Sequence, residues 1–147
     1  MPELAWAGCV NTFGVNYLCS GAETTGQVVS ANNATILTST GFGVNTSDPT
    51  ALEINGLGNI YYLDSHSSNL TGQDYGLHAS ANDIVPGVGS LILDLSGSLY
   101  GGIAGLRALN LSTGPTYVAT TGHVEGGLRG IDIFNASSTT DGLRLET

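Results

Sequence analysis

A motif of ten residues occurs twice in this chain with every glycine and every aliphatic position in register: Gly97-Ser-Leu-Tyr-Gly-Gly-Ile-Ala-Gly-Leu106 and Gly122-His-Val-Glu-Gly-Gly-Leu-Arg-Gly-Ile131. A weaker copy is Ser68-Asn-Leu-Thr-Gly-Gln-Asp-Tyr-Gly-Leu77. The shared form, G-x-[LV]-x-G-x-x-x-G-[LI], carries its last glycine at Gly76, Gly105 and Gly130, giving spacings of 29 and 25 residues, and Gly43-Val44 reads as the start of an earlier copy 33 residues before Gly76. Self-similarity at this period points to stacked repeats. Because the motif persists while the spacing shrinks, the variable length falls in one loop per repeat; 82–89 and 55–64 are the candidates.

Within a copy the side chains alternate with period two, as in Leu77-His-Ala79, Leu93-Asp-Leu95, Leu106-Arg-Ala108 and Ile131-Asp-Ile133. Alternation of this kind puts one face of a short strand inward, and no stretch has helical period. Aligning the copies stacks Leu77 on Leu106 and Ile131, Ala79 on Ala108 and Ile133, and Leu70 on Leu99 and Val124. One such unit cannot bury its own apolar face, but units stacked about 4.8 Å apart bury a continuous column and pair their backbone groups. The expected fold is therefore all-β, a parallel β-solenoid. Gly76, Gly101, Gly105, Gly126 and Gly130 mark its corners on this reading, and Asn110 and Asn135, at matching offsets, form a corner ladder of amides bonded from repeat to repeat, with Asn82 one residue out of phase.

Composition narrows the partners. The chain has 147 residues, net charge −9 and only three basic residues, which are Arg107, Arg129 and Arg144. So few cations release few counterions from a phosphate backbone, which argues against nucleic acid and against anionic membrane surfaces. The length suits one domain. Only 10% of residues are charged, against a usual ~25%, so hydroxyls and amides carry the polarity.

Cys9 and Cys19 have no CxxC motif or Cys/His cluster beside them and read as a disulfide, which implies an oxidising compartment. They pin an N-terminal cap, residues 1–23, in which Trp6, Phe13 and Tyr17 are expected to plug the first repeat; residues 24–147 form the solenoid. The opening MPELAWAGC lacks the positive segment and apolar core of a secretion signal. The closing Leu143-Arg-Leu-Glu-Thr147 reads as strand, so the chain is expected to be part of a longer protein.

The repeated GxLxGG-x-x-GL unit, preceded by Thr120-Thr-Gly122 and followed by an Asn-Ala-Ser corner, resembles the β-helical passenger domains of bacterial autotransporters over roughly residues 24–147. The preceding Gly21-Ala-Glu-Thr-Thr-Gly-Gln27 looks like the start of a mature passenger. The resemblance implies a right-handed parallel β-helix, exported through the periplasm and displayed at the cell surface or released. It also implies a C-terminal β-barrel outside this chain as the only membrane element. Passengers of this kind act as adhesins, toxins, proteases or esterases; the low-charge, repetitive form here looks most like the adhesin or structural type.

Catalytic constellations are sparse. No GxSxG occurs, and spacing gives His66, His78 and His123 no serine motif or acid partner. A carbohydrate-active β-helix enzyme or phage-type depolymerase needs clustered carboxylates, for which Asp64, Asp74, Asp94 and Asp132 are the acids within the repeats. A calcium-binding nonapeptide requires GGxGxD, and Gly101-Gly-Ile-Ala-Gly-Leu106 departs from it twice, which leaves loop acids such as Asp83 or Asp64. The Gly101-Gly102 and Gly126-Gly127 pairs lead into strands rather than a helix, unlike dinucleotide-binding glycines. Neither a cofactor nor a metal is expected. Five N-x-[S/T] triplets begin at Asn33, Asn45, Asn69, Asn110 and Asn135. The remaining binding handles are Tyr61, Tyr62, Tyr75, Tyr100 and Tyr117, since tyrosine contacts sugar or protein at low entropic cost. The expected function is adhesion or display toward a host or neighbouring-cell protein or glycan, without enzymatic activity. The alternatives are the carbohydrate-active enzyme and a self-assembling filament subunit.

Overall fold

A computed structural model of the chain describes residues 7–82, 89–136 and 142–147. β1 (Gly8–Phe13) turns back on β2 (Asn16–Ser20), and from β2 onward the chain winds as a parallel solenoid. The first rung is β2, β3 (Ala22–Glu23) and β4 (Gln27–Ser30); the second is β5 (Thr35–Thr38), β6 (Gly43–Asn45) and β7 (Thr50–Gly56). The third is β8 (Ile60–Asp64), β9 (Asn69–Gly72) and β10 (Tyr75–Ala81); the fourth is β11 (Leu91–Leu95), β12 (Ser98–Gly101) and β13 (Ala104–Asn110). The fifth is β14 (Thr116–Thr120), β15 (Val124–Gly126) and β16 (Arg129–Asn135), after which β17 (Leu143–Glu146) stacks on β14.

Three sheets result. Sheet A runs β1-β2-β5-β8-β11-β14-β17, sheet B runs β3-β6-β9-β12-β15, and sheet C runs β4-β7-β10-β13-β16. The stacking expected from the motif is observed: Leu77 is level with Leu106 and Leu106 with Ile131, Ala79 with Ala108 and Ile133, and Leu70 with Leu99 and Val124. Sheet A adds the column Ile36, Tyr62, Leu93 and Val118. All four are fully buried, and filling such a column contributes roughly 1.5–3 kcal/mol per large side chain.

Several expectations need correction. Gly43-Val44 is out of phase: Gly43 is level with Asn69 and Val44 with Leu70, on sheet B, and the residue of that rung facing the sheet C motif is Leu52, beside Leu77. Its sequence likeness misled because Gly followed by an aliphatic residue also suits the inward strand of sheet B. Parallel stacking starts at Asn16, where β2 meets β5, rather than at residue 24, so among the described residues the strand that precedes the solenoid is β1. Phe13 is 81% exposed and plugs nothing, because it sits at the hairpin tip; Tyr17 is half-buried, and Trp6 lies outside the described residues. The extra length is confined to 82–90, nine residues against five at 111–115, because Ala81 is level with Asn110 and Leu91 with Thr116; 55–64 holds no insertion.

The motif glycines sit at the corners for steric reasons. Gly76 and Gly105 lie within β10 and β13 where sheet B closes on sheet C, and a Cβ on Gly105 would stand 2.7 Å from the Glu125 carbonyl oxygen and 2.8 Å from that of Leu99. Gly101 and Gly126 end β12 and β15 against the carbonyls of Ala104 and Arg129. Close backbone approach, not positive φ, selects glycine here.

The amides of Asn110 and Asn135 are level with each other but do not bond to one another. Asn110 Nδ2 donates to the Gly114 carbonyl at 3.0 Å and to Thr116 Oγ1 at 3.0 Å, and Asn135 Nδ2 donates to the Gly142 carbonyl. Each closes its own bend into sheet A. An inter-rung ladder exists at the other end of that bend, one residue before sheet A: Asn33 Oδ1 accepts from the Asn59 backbone amide at 3.1 Å, and Asn59 Oδ1 accepts from the Ser90 backbone amide at 3.0 Å. Asn33 takes φ 54, which its short amide side chain tolerates.

Candidate functional site

The outward positions of sheet A form two parallel columns. One runs Thr35, Tyr61, Ile92, Tyr117 and Arg144; the other runs Leu18, Leu37, Leu63, Asp94, Ala119 and Glu146. Leu18, Leu37 and Leu63 are 36%, 42% and 36% exposed, so three successive rungs present a leucine to solvent at one register position. Tyr61 stands half-buried beside Leu63, and Ile92 and Tyr117, also half-buried, continue its column beside Asp94 and Ala119 on the next two rungs. At the far end the Tyr117 hydroxyl donates to Glu146 Oε2 at 2.7 Å, the Arg144 guanidinium lies 5.5 Å from the Tyr117 ring centre, and Arg144 pairs with Glu146. That hydroxyl bond, with Arg144 beside it, holds the Glu146 carboxyl below its ordinary range, and the same bond raises the Tyr117 phenol. The face is thus a leucine ladder over three rungs, interrupted by the exposed Asp94 on the fourth and followed at the far end by a charged pair.

The other tyrosines separate. Tyr62 is fully buried inside sheet A, because alternation gives Tyr61 and Tyr62 opposite faces, so it is not a binding handle. Burial pushes its phenol well above the ordinary range, and the neighbouring Asp64 charge adds to the shift. Tyr75 stands on the outer face of sheet C, where it accepts from Arg107 Nη1 at 2.7 Å and packs its ring 5.6 Å from that of His78. Glu53, His78, Arg107 and Asp132 form one register column there. Burial and then the Arg107 cation lower the His78 pKa, with Glu53 opposing them. Tyr100, 37% exposed on sheet B, packs against His123, whose Nε2 lies 3.1 Å from Glu125 Oε2. The tyrosines therefore occupy three faces, and only Tyr61 and Tyr117 share one.

The acids considered for glycan chemistry also lie apart. Asp94 points outward from sheet A and Asp132 from sheet C, while Asp74 occupies the bend between β9 and β10. Asp64 is 4% exposed and turned inward at the bend from sheet A to sheet B. Its carboxylate accepts from Thr38 Oγ1 at 2.8 Å, Ser68 Oγ at 2.9 Å, the Ser68 amide at 3.1 Å, the Gly97 amide at 3.0 Å and the His66 amide at 3.2 Å. A carboxylate encircled by donors is a structural tie, with no lone pair left over for a substrate or a calcium ion. The His66 ring meets Ser65 Oγ at 3.2 Å, but the nearby acid binds the backbone instead of the ring. Among the described residues no three His, Cys, Asp or Glu side chains converge as a metal site. Asp83 lies outside the described residues.

Of the N-x-[S/T] asparagines, Asn110 is fully buried and Asn135 is used in its bend, whereas Asn33, Asn45 and Asn69 are exposed. The leucine ladder was not singled out from sequence, although Leu18, Leu37 and Leu63 are readable once the strand register is known. Before that, each looks like a core leucine.

Comparison of the chain with protein-family models, curated proteins and solved structures returns no match. The Cys9–Cys19 disulfide is consistent with an extracellular or periplasmic location.

Proposed function

We propose that this chain is a surface-displayed binding module, an adhesin-type solenoid of the autotransporter-passenger kind, exported through the periplasm and contacting host or neighbouring-cell protein or glycan through the outer face of sheet A. The observation that carries the reading is the exposed Leu18-Leu37-Leu63 ladder, with Tyr61 beside Leu63 and its column continued by Ile92 and Tyr117 on the next two rungs. A solvent-facing apolar strip costs solubility and favours aggregation unless it is used, and aliphatic residues bordered by tyrosine are suited to a contact surface. The disulfide and the low charge accord with export and display.

The test is binding of purified chain to an array of immobilised extracellular-matrix proteins and glycans, with Leu37→Ser/Leu63→Ser and Tyr61→Ala variants alongside. Both replace exposed or rim side chains, so circular dichroism and thermal midpoint should stay near the parent. The expected result is saturable binding by the parent that falls about tenfold or more in each variant, the loss typical of a central contact residue. Binding that is unchanged in both variants, or absent from the whole array, refutes the assignment of this face.

A further inference from the structure

Sheet A turns an aliphatic row outward and then a carboxylate. Val10 of β1 stands directly opposite Leu18, so the row runs Val10, Leu18, Leu37 and Leu63 before it reaches Asp94 on the fourth rung. Asp94 is exposed and, among the described residues, pairs with no cation. The chain has three basic residues: Arg107 and Arg129 belong to sheet C, and Arg144, the one on this face, is paired with Glu146. The face therefore offers apolar contact and an unmatched negative charge in line, on a molecule of net charge −9.

The spacing of that row selects a shape. Neighbouring strands of a sheet lie about 4.8 Å apart, so Leu18, Leu37, Leu63 and Asp94 follow one another at that interval over about 14 Å. An amphipathic helix carries its apolar side chains three and four residues apart in turn, at 1.5 Å of rise per residue, or about 5.2 Å between successive anchors. A helix laid across the strands, parallel to the solenoid axis, thus brings one anchor beside each leucine, and about ten residues cover the row. An extended segment lacks this match, since its same-face side chains recur at about 6.8 Å. A glycan fits no better, because aliphatic side chains leave its hydroxyls without partners on desolvation.

From this match we infer that the partner of sheet A is a basic amphipathic helix of another protein, its apolar anchors lying on Leu18, Leu37 and Leu63 and a Lys or Arg one turn further on meeting Asp94. This partner presupposes sheet A as the binding face, as proposed above, and adds the chemistry of what binds there. Recognition of a helix through anchors at i, i+3, i+4 and i+7 is a recurring mode. Opposite charge speeds the encounter and fixes the register, because the cation-bearing end of the helix must lie over β11. An acidic helix is rejected by the same residue, since its carboxylate would face Asp94.

Fluorescence anisotropy with labelled, amidated peptides of about 18 residues, long enough to hold helical structure, tests it. The first peptide carries Leu at i, i+3, i+4 and i+7 with Lys elsewhere, the second has Glu in place of Lys, and the third keeps the Leu and Lys composition in an order without an apolar stripe. The purified chain should bind the first about tenfold or more tightly than either control. Leu37→Ser/Leu63→Ser should weaken that binding about tenfold or more, and Asp94→Asn about threefold, with a flatter dependence on salt. Glu125→Gln removes an exposed acid from sheet B and should leave binding unchanged, which separates recognition by this face from attraction to net charge. No binding of the first peptide, equal binding of the first peptide and either control, or equal weakening by Asp94→Asn and Glu125→Gln overturns the inference. If the leucine variant nonetheless loses binding on the matrix-protein and glycan array, sheet A remains the binding face and only the helical partner falls; if it loses nothing in either assay, both fall.

Discussion

Asp64 draws together three rungs through one carboxylate: Thr38 from the second, Ser68 from the third and Gly97 from the fourth. Replacing it with alanine leaves the buried Ser68 and Gly97 amides and the Thr38 hydroxyl without an acceptor, at roughly 1–3 kcal/mol for each orphaned group. The expected loss for Asp64→Ala is about 3 kcal/mol or more, read from the urea midpoint. Asp64→Asn should recover little of it, because the amide nitrogen would face a donor on either side. A loss below about 1 kcal/mol, the range of surface substitutions, would show that the tie is dispensable. From sequence Asp64 read as an acid available for chemistry. What hid its role is its place at the last residue of β8, where alternation meets a bend and no longer says which way a side chain turns. Tyr62 shows the complementary case: Tyr61 and Tyr62 are indistinguishable by composition, and only the register of β8 against β5 and β11 assigns one to solvent and the other to the core.

The glycine motif acts on the bend that joins sheet B to sheet C, and its effect depends on whether another rung stacks above. A Cβ on Gly105 meets the backbone oxygens of Glu125 and Leu99 and Val124 Cγ1 at 2.7–2.8 Å, with the next rung on one side and its own bend on the other. A Cβ on Gly130, in the equivalent position of the last complete rung, meets only the Val124 carbonyl group, its oxygen at 3.1 Å. Gly105→Ala should therefore cost about 1–3 kcal/mol through forced backbone shifts, whereas Gly130→Ala should fall within about 0.5 kcal/mol of the parent; paired urea titrations read the difference. Equal effects at the two sites would mean that the glycines serve backbone conformation instead of inter-rung clearance. At this scale the sequence was most legible, because identical steric demands recur wherever one rung crosses the next, so the columns through Leu70, Leu77 and Ala79 could be aligned correctly. The earlier rungs were harder. The B-to-C step is four residues in the first rung, Glu23 to Gln27, and eight in the second, Val44 to Leu52, against seven from Leu70 to Leu77, and neither carries the doubled glycine, so the phase error placed Gly43 on the wrong sheet. The Asn33–Asn59–Ser90 ladder escaped for a related reason: its members are 26 and 31 residues apart, so no constant offset marks them.

A solenoid of this kind has stabilising contacts almost wholly between adjacent rungs, so disturbance at one end should stay near that end. The same locality explains why function was less legible than fold: repeating contacts write themselves into the sequence as a period, whereas a binding face is written only in the outward positions, which the period leaves free. It also makes the Cys9–Cys19 bond a test of how the molecule holds together. The bond links directly opposed residues of β1 and β2, and in the chain-entropy account a loop of this length gives about 3 kcal/mol or slightly less. In a protein with one cooperative core, reduction would lower protection of every slow-exchanging amide alike. Here β1 touches the solenoid through β2 and the Gln27 side chain, so its release removes the cover from sheet A without breaking the columns of later rungs. Hydrogen exchange on the reduced chain should show β1 and β2 opening with protection cut by roughly a hundredfold, the equivalent of about 3 kcal/mol, while amides in β10, β11 and β13 keep theirs to within about threefold. A uniform loss across all rungs would mean that the first rung nucleates the entire stack, and the N-terminal hairpin would then be a folding template rather than a cap.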